Sequence, residues 1–289
     1  MSSLEVELTI SEQSLSQQVE DLLVKRNLRG MKEMQASLRP GYYGRAAKLI
    51  NRVKGTVLIG TGFPVLDTFE TDGPVGAIAL YDVLKHLGAR PVIVCGDPLA
   101  SALSADYCVH TINTNAIATR VEEAKQSLAL LSPELVISIE RPGLSKGAGY
   151  FNMRGEDISA RCASFDEFLN QAECPTIAVG DGGNEIGMGN IYTTVKQLDI
   201  VPTVTGCDEL LISDVSNWGA HGLIALLSVA NDEDLFQLVR PITILRYLSN
   251  RGSVDGVTRE NTLTEDGLPV SAGDELIEQL RQLTGFSIK

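Results

Sequence analysis

Short apolar runs rich in β-branched residues recur at wide spacing along this chain: TVLI (56–59), VIVC (92–95), LVISI (135–139), TIAV (176–179) and VPTVT (201–205). Between them the spacing turns helical. In VGAIALYDVLKHLG, Ala77, Leu80, Tyr81, Leu84 and Leu87 follow the i, i+3, i+4, i+7 pattern of one helix face. Strands that are apolar throughout are covered on both faces, and strands alternating with helices imply crossover connections. The expectation is therefore an α/β fold, a doubly wound, mostly parallel sheet with helices on both faces.

The ends differ from the middle. Within residues 1–50, VEDLLVKRNLRGMKEM and GRAAKLINRV predict a helical lead-in packed against the sheet. Residues 51–235 then form the sheet core with its ligand rim, and 236–289 supply C-terminal helices and a loop. In that tail LFQLVRPITILRYLSNRG is helical but interrupted by Pro241, DGVTRENTLTEDGLPV reads as an exposed loop or small hairpin, and GDELIEQLRQLTG as a capped helix. A single domain over 1–289 is expected, since 289 residues with 44% hydrophobic content can bury one large core.

The formal charge of −13 argues against a nucleic acid or an anionic membrane as partner, because both require clustered Lys and Arg. Cys95, Cys108, Cys162, Cys174 and Cys207 include no C-x-x-C pair, so reduced thiols are expected, not a disulfide or zinc framework. The polar N-terminus lacks a signal-peptide pattern, and no window approaches the ~20 apolar residues of a membrane span. These features predict a cytoplasmic protein, as a monomer or a homo-oligomer.

An unusual segment follows each strand: GTGFP (60–64) with ETDGPVGA (70–77), GD (96–97), ERPG (140–143) and GDGGNEIGMGN (180–190). In an open parallel sheet the carboxyl ends of the strands share one ligand-binding rim. Gly182 and Gly183 suit a sharp turn with close backbone approach to a ligand, and a following helix would offer N–H groups to an anion. Asn184 or Asp181 would equally suit a simple helix cap. Glu70, Asp72, Glu140 and Asp181, with Asp97, would form a cluster that needs a cation to stay ionised. Oxygen ligands without His or Cys favour Mg²⁺ or Mn²⁺ over zinc. Asp97 and Asp208 also suit ordinary turns. Arg141, Lys146 and Arg154 are the cations near this rim; Arg141 or Arg154 would clamp a carboxylate or phosphate, or make a surface ion pair. His86 is expected at the surface and His110 in a structural role. His221 is a candidate proton carrier facing the cleft with Asp214.

Taken together, GTGFP, ETDGPVGA, ERPG, YFNMRGED and GDGGNEIGMGN resemble the D-glutamate cyclase C-terminal-like domain family, from about KRNLRGM to the helix after SDVSNWGAHG. The resemblance implies dehydration of D-glutamate to 5-oxo-D-proline, and also a manganese-binding acidic cavity with proposed phosphatase activity. It directs interest to Glu70, Asp72, Glu140, Arg154, Asp181, Asn184 and Glu185. Vertebrate-type members carry a further domain where residues 1–50 stand here. The leading expectation is a metal-assisted hydro-lyase. Its divalent ion, Mn²⁺ or Mg²⁺, is held by Glu70, Asp72 and Asp181; catalysis falls to Glu140, Glu185 and Arg154; substrate binding falls to Gly62, Arg141, Gly182, Gly183 and Asn184. The alternatives are a manganese-dependent phosphatase on the same carboxylates and a non-catalytic module for an anionic metabolite.

Overall fold

The computed structural model describes residues 6–287. Its central sheet has β1 (Thr56–Thr61), β2 (Arg90–Cys95), β3 (Val109–Thr111), β4 (Leu135–Ile139), β5 (Thr176–Gly180) and β6 (Glu209–Ile212). All neighbouring pairs are parallel, in the order β3-β2-β1-β4-β5-β6. The order reverses between β1 and β4, the doubly wound arrangement, and such a reversal opens a crevice at the carboxyl ends of the strands. Register places Thr61 beside Ile139 and Ile139 beside Val179. The chain therefore leaves β1, β4 and β5 at one level, and the residues that follow start side by side.

The longer helices are α1 (Ile10–Leu23), α2 (Tyr42–Asn51), α3 (Pro74–His86), α4 (Arg120–Leu131), α5 (Ser216–Asn231), α6 (Pro241–Ser249) and α7 (Val270–Thr284). Both faces of the sheet are covered. Gly219 of α5 approaches so closely that a Cβ there would lie 2.4 Å from a Val179 methyl. Gly60 precedes Thr61, which shares a face with Val179, so it points to the opposite face. There a Cβ would lie 2.2 Å from the Phe165 ring. The main cluster of buried apolar side chains runs from Val19 to Leu280.

The lead-in is fixed by polar contacts. A capping box of Thr9 and Glu12 starts α1. Farther along, buried Glu20 accepts from Ser16 Oγ at 2.6 Å and from the Gly41 and Tyr43 N–H groups at 3.2 and 3.4 Å, tying α1 to the start of α2. Arg45 then forks onto Glu209 at 2.8 and 2.7 Å. Among the described residues no helix is long and apolar enough to cross a membrane.

Three sequence expectations change. VPTVT is not a strand: Pro202 has no N–H to give a ladder, and Val204 N instead bonds Leu144 O at 2.8 Å in a loop. The last strand of the central sheet is Glu209–Ile212, and the short, half-buried β3 was not anticipated. The tail segment does contain a small hairpin, Thr264–Glu265 with Leu268–Pro269, but Glu265 in it is buried, not exposed.

Candidate functional site

Glu140 directly follows β4 and Asp181 directly follows β5, while Glu70 and Asp72 lie in the loop leading to α3. Glu140 adopts φ +48°, a left-handed conformation that non-glycine residues enter at some cost and that clusters at functional sites. Gly73, at φ +88°, lets the neighbouring loop pass against it, where a Cβ would lie 2.7 Å from Glu140 Cβ. The result is a buried triad: carboxylate oxygens of Asp72, Glu140 and Asp181 all lie within 4.8 Å of one another.

The N-terminus of α5 points at this triad. Ser216 N donates to Asp72 Oδ2 at 3.0 Å and to Asp181 Oδ2 at 3.1 Å; Asn217 N donates to Asp72 Oδ1 at 2.7 Å; Ser216 Oγ donates to Glu140 Oε2 at 2.6 Å. Free N–H groups and the helix dipole make this end attractive to negative charge. Asp72 and Asp181 thus cap a helix distant in sequence while sitting in the cluster.

A cation enters from the lead-in. Asp214 accepts from Arg26 N at 2.7 Å and Leu28 N at 3.3 Å, which pins the loop after α1. Arg29, next in that loop, pairs with Asp181 at 2.6 Å and with Asp266 of the tail hairpin. The hairpin itself hangs on Asp255, whose carboxylate accepts from Val257 N, Thr258 N, Thr264 Oγ1 and Gly267 N. Glu265 from the same hairpin accepts from Asn217 Nδ2 at 2.8 Å.

These elements surround a cavity of about 220 Å³. At ~30 Å³ per water, that is room for roughly seven waters or one small metabolite. Its floor is acidic: Glu70, Glu140, Asp181, Glu185 and Asp266 line it with Arg29. Its mouth carries Arg154, Arg161 and Arg259, the last paired with Glu156 at 2.5 Å.

Burial pushes the carboxyls of Glu70, Glu140, Asp181 and Glu185 above the usual carboxylate range. Asp72 is raised to about 7 and Glu265 to about 8, in both cases first by burial and then by neighbouring carboxylates. Burial opposes the charge of Arg29, but Asp181 and Asp266 more than offset it and hold the guanidinium firmly protonated. One guanidinium cannot balance so many carboxylates, so they either hold protons or require a further cation. A hard divalent cation fits this donor set, which is oxygen throughout with three buried carboxylates in ligating range.

The structure distributes the sequence candidates as follows. Asp72, Glu140 and Asp181 form the tight set, with Glu140 in the position the sequence gave to Glu70, which lines the cavity beside it. Glu185 is buried and accepts from Gly183 N at 2.7 Å. Asn184 donates to Phe151 O at 2.9 Å, while its buried Oδ1 has no partner among the described residues. Arg154 is exposed at the mouth and donates to Val257 O at 3.0 Å. Gly183 makes a turn at φ +110° against Val195 and Ile200, and Gly182 packs against Glu185 and Met153. Two candidates lie elsewhere: Arg141 and Gly62 line a separate small cavity, and the Arg141 guanidinium is held by backbone carbonyls. A short helical turn, Met188–Ile191, forms the end of the glycine-rich stretch, and the helix N-terminus at the site belongs to α5.

Outside the cluster, Asp97 accepts from Ser101 and Asp208 from Thr176, both as local anchors, and Lys146 is exposed. His86 pairs with Glu233 at the surface and His110 meets Ser127. His221 does not face the cavity: it is fully buried against Phe236. Sequence reasoning missed Arg29, Ser216, Asn217, Glu265 and Asp266. The Asp266-Gly267 pair carried only a turn signal, and nothing local marks Arg29 as different from Arg26.

A profile of the family described as D-glutamate cyclase-like, C-terminal, matches residues 19–281. This chain belongs to that D-glutamate cyclase-like family. One relative is the human protein named D-glutamate cyclase, mitochondrial, 30% identical over an alignment of 202 positions that covers 60% of this chain and 33% of the human one. The chain thus matches about a third of that relative's length. A solved exopolyphosphatase-related protein from Bacteroides fragilis superposes over 87% of this chain and 62% of its own at 8% identity. Its TM-score of 0.41 is too low for the likeness to bear on the D-glutamate cyclase-like fold or its chemistry.

Proposed function

We propose that this D-glutamate cyclase-like chain closes D-glutamate to 5-oxo-D-proline with loss of water, using a divalent cation held by Asp72, Glu140 and Asp181. The observation that carries this reading is the two-part cavity, acidic at the floor and arginine-lined at the mouth. The substrate has complementary parts: an α-carboxylate for the mouth and an ammonium and γ-carboxylate for the interior.

In the reaction the nitrogen bonds to the γ-carboxyl carbon, one carboxyl oxygen departs, and two protons from the ammonium leave with it as water. Arg154, with Arg161 and Arg259 beside it, holds the α-carboxylate bidentately. Glu185, a buried cavity carboxylate, takes a proton from the nitrogen and returns it to the departing oxygen, and Glu70, which lines the same cavity, shares that transfer in this reading. A bound Mn²⁺ or Mg²⁺ would neutralise the γ-carboxylate and so make it electrophilic. The phosphatase alternative has less support. Two-metal hydrolysis needs paired ligand sets, whereas one such carboxylate triad is found among the described residues.

Incubating the purified protein with D-glutamate and Mn²⁺, and following 5-oxo-D-proline by chiral chromatography, tests the proposal. Product is expected with the D enantiomer. A yield no higher than metal alone refutes it.

A further inference from the structure

Arg29 lines the floor of the large cavity, and its orientation there is fixed from three sides. Nε–H donates to Asp181 O at 3.3 Å, while Nη2 donates to Asp181 Oδ2 at 2.6 Å, to Asp214 O at 3.4 Å and to Asp266 Oδ2. These partners come from the end of β5, the turn before α5 and the tail hairpin. A guanidinium is planar, so anchoring two of its nitrogens also sets where the third points. That third nitrogen, Nη1, has no partner among the described residues. It is not enclosed either: 19% of the side chain stays exposed, and Nη1 is not among the buried atoms that lack a partner. A charged donor is thus held rigidly and left open in the wall of the cavity.

Neutralising two aspartates does not require this arrangement. A lysine ammonium would balance them as well, whereas the spare N–H groups of a fixed fork serve a further oxygen. Without a cation on the triad, Asp181 and Asp266 offset the guanidinium charge, and an anion gains little by approaching it. A divalent cation on Asp72, Glu140 and Asp181 would draw on the Asp181 charge and leave Arg29 free to attract one.

We infer that Arg29 is a substrate-binding residue, its Nη1–H donating to a carboxylate oxygen of the ligand at the cavity floor. Under the cyclase reading, on which the choice of ligand rests, that group is the γ-carboxylate of D-glutamate. The guanidinium then fixes the end that is attacked and stabilises the negative charge its oxygens carry as the nitrogen adds. Binding is ordered, cation first and carboxylate second.

Glutarate, a five-carbon dicarboxylate without the amine, cannot cyclise and so reports binding alone. Calorimetric titration of the whole chain should show glutarate binding in saturating Mn²⁺ and little in chelator. Arg29→Lys keeps the charge, so it should hold Mn²⁺ much as the wild type does. Its glutarate affinity in Mn²⁺ should nevertheless fall about tenfold or more, the loss of one charged hydrogen bond. If that variant does not fold, wild-type crystals with Mn²⁺ and glutarate decide: a carboxylate oxygen is expected about 3 Å from Nη1. Undiminished glutarate affinity in Arg29→Lys, water alone at Nη1 in crystals that hold glutarate, or no glutarate binding by the wild type in Mn²⁺ overturns the inference. Glutarate binding that depends on Arg29, without 5-oxo-D-proline from D-glutamate, would sink the cyclase reading and leave Arg29 as a carboxylate anchor. Product formed by Arg29→Lys with the wild-type KM would do the reverse.

Discussion

Replacing His221 with leucine should leave the protein at least as stable at neutral pH and clearly more stable in acid. His221 is fully buried within α5, edge-on to Phe236, and neither ring nitrogen has a partner among the described residues. Burial lowers its pKa from 6.5 to about 4. The unfolded imidazole therefore takes up a proton near pH 6.5, while the folded one refuses it until about pH 4. Above 6.5 both states are neutral and ionisation contributes nothing. As pH falls through that window the unfolded state gains the proton alone, so the native state loses about 3 kcal/mol in all, and about 2 kcal/mol of it by pH 5.

Leucine is close to histidine in volume, so no large cavity opens, and removal of an unpaired buried polar group is itself favourable. The assay is urea unfolding of both proteins at pH 8 and pH 5, followed by circular dichroism. The acidic cluster titrates in both, so it cancels in the difference. An advantage for His221→Leu that widens by about 2 kcal/mol in acid is expected. A gap that is the same at both pH values would refute the argument, because it would mean that the folded histidine accepts its proton normally.

Asp181→Asn keeps an acceptor for Ser216 N but removes one of the three triad charges, so the rise in melting temperature that Mn²⁺ gives the wild type should be mostly lost; scanning fluorimetry in chelator and in Mn²⁺ measures it. Asp255→Ala removes four hydrogen bonds that hold the 255–268 segment. At roughly 1 kcal/mol each, their loss should raise local opening at least tenfold, visible as faster proteolytic cleavage within that segment.

The amino-acid order alone set the parallel α/β plan, because a strand covered on both faces must be apolar throughout and its partner helices must show a 3.6-residue period. It also marked Glu70, Asp72, Glu140, Asp181 and Glu185. Those acids sit at strand ends or in glycine-rich loops that share one rim, although Asp72 and Asp181 also suited helix caps. It misplaced the last strand in VPTVT, since composition suggested β structure while Pro202 and distant loops took the backbone bonds.

Tertiary structure decided everything that depends on distance between remote segments. Arg29 reaches Asp181 across 152 positions, and its charge becomes distinctive only once Asp214 pins its loop over the cavity. Asp266 looked like an exposed turn residue until the hairpin folded back onto α5. Arg141 looked like a substrate clamp because it follows Glu140, yet a strand end sends consecutive side chains to opposite sides. One went to the acidic cavity and the other to the carbonyls of β1. Adjacency in sequence fixes neither direction nor company; the packing of the sheet ends does.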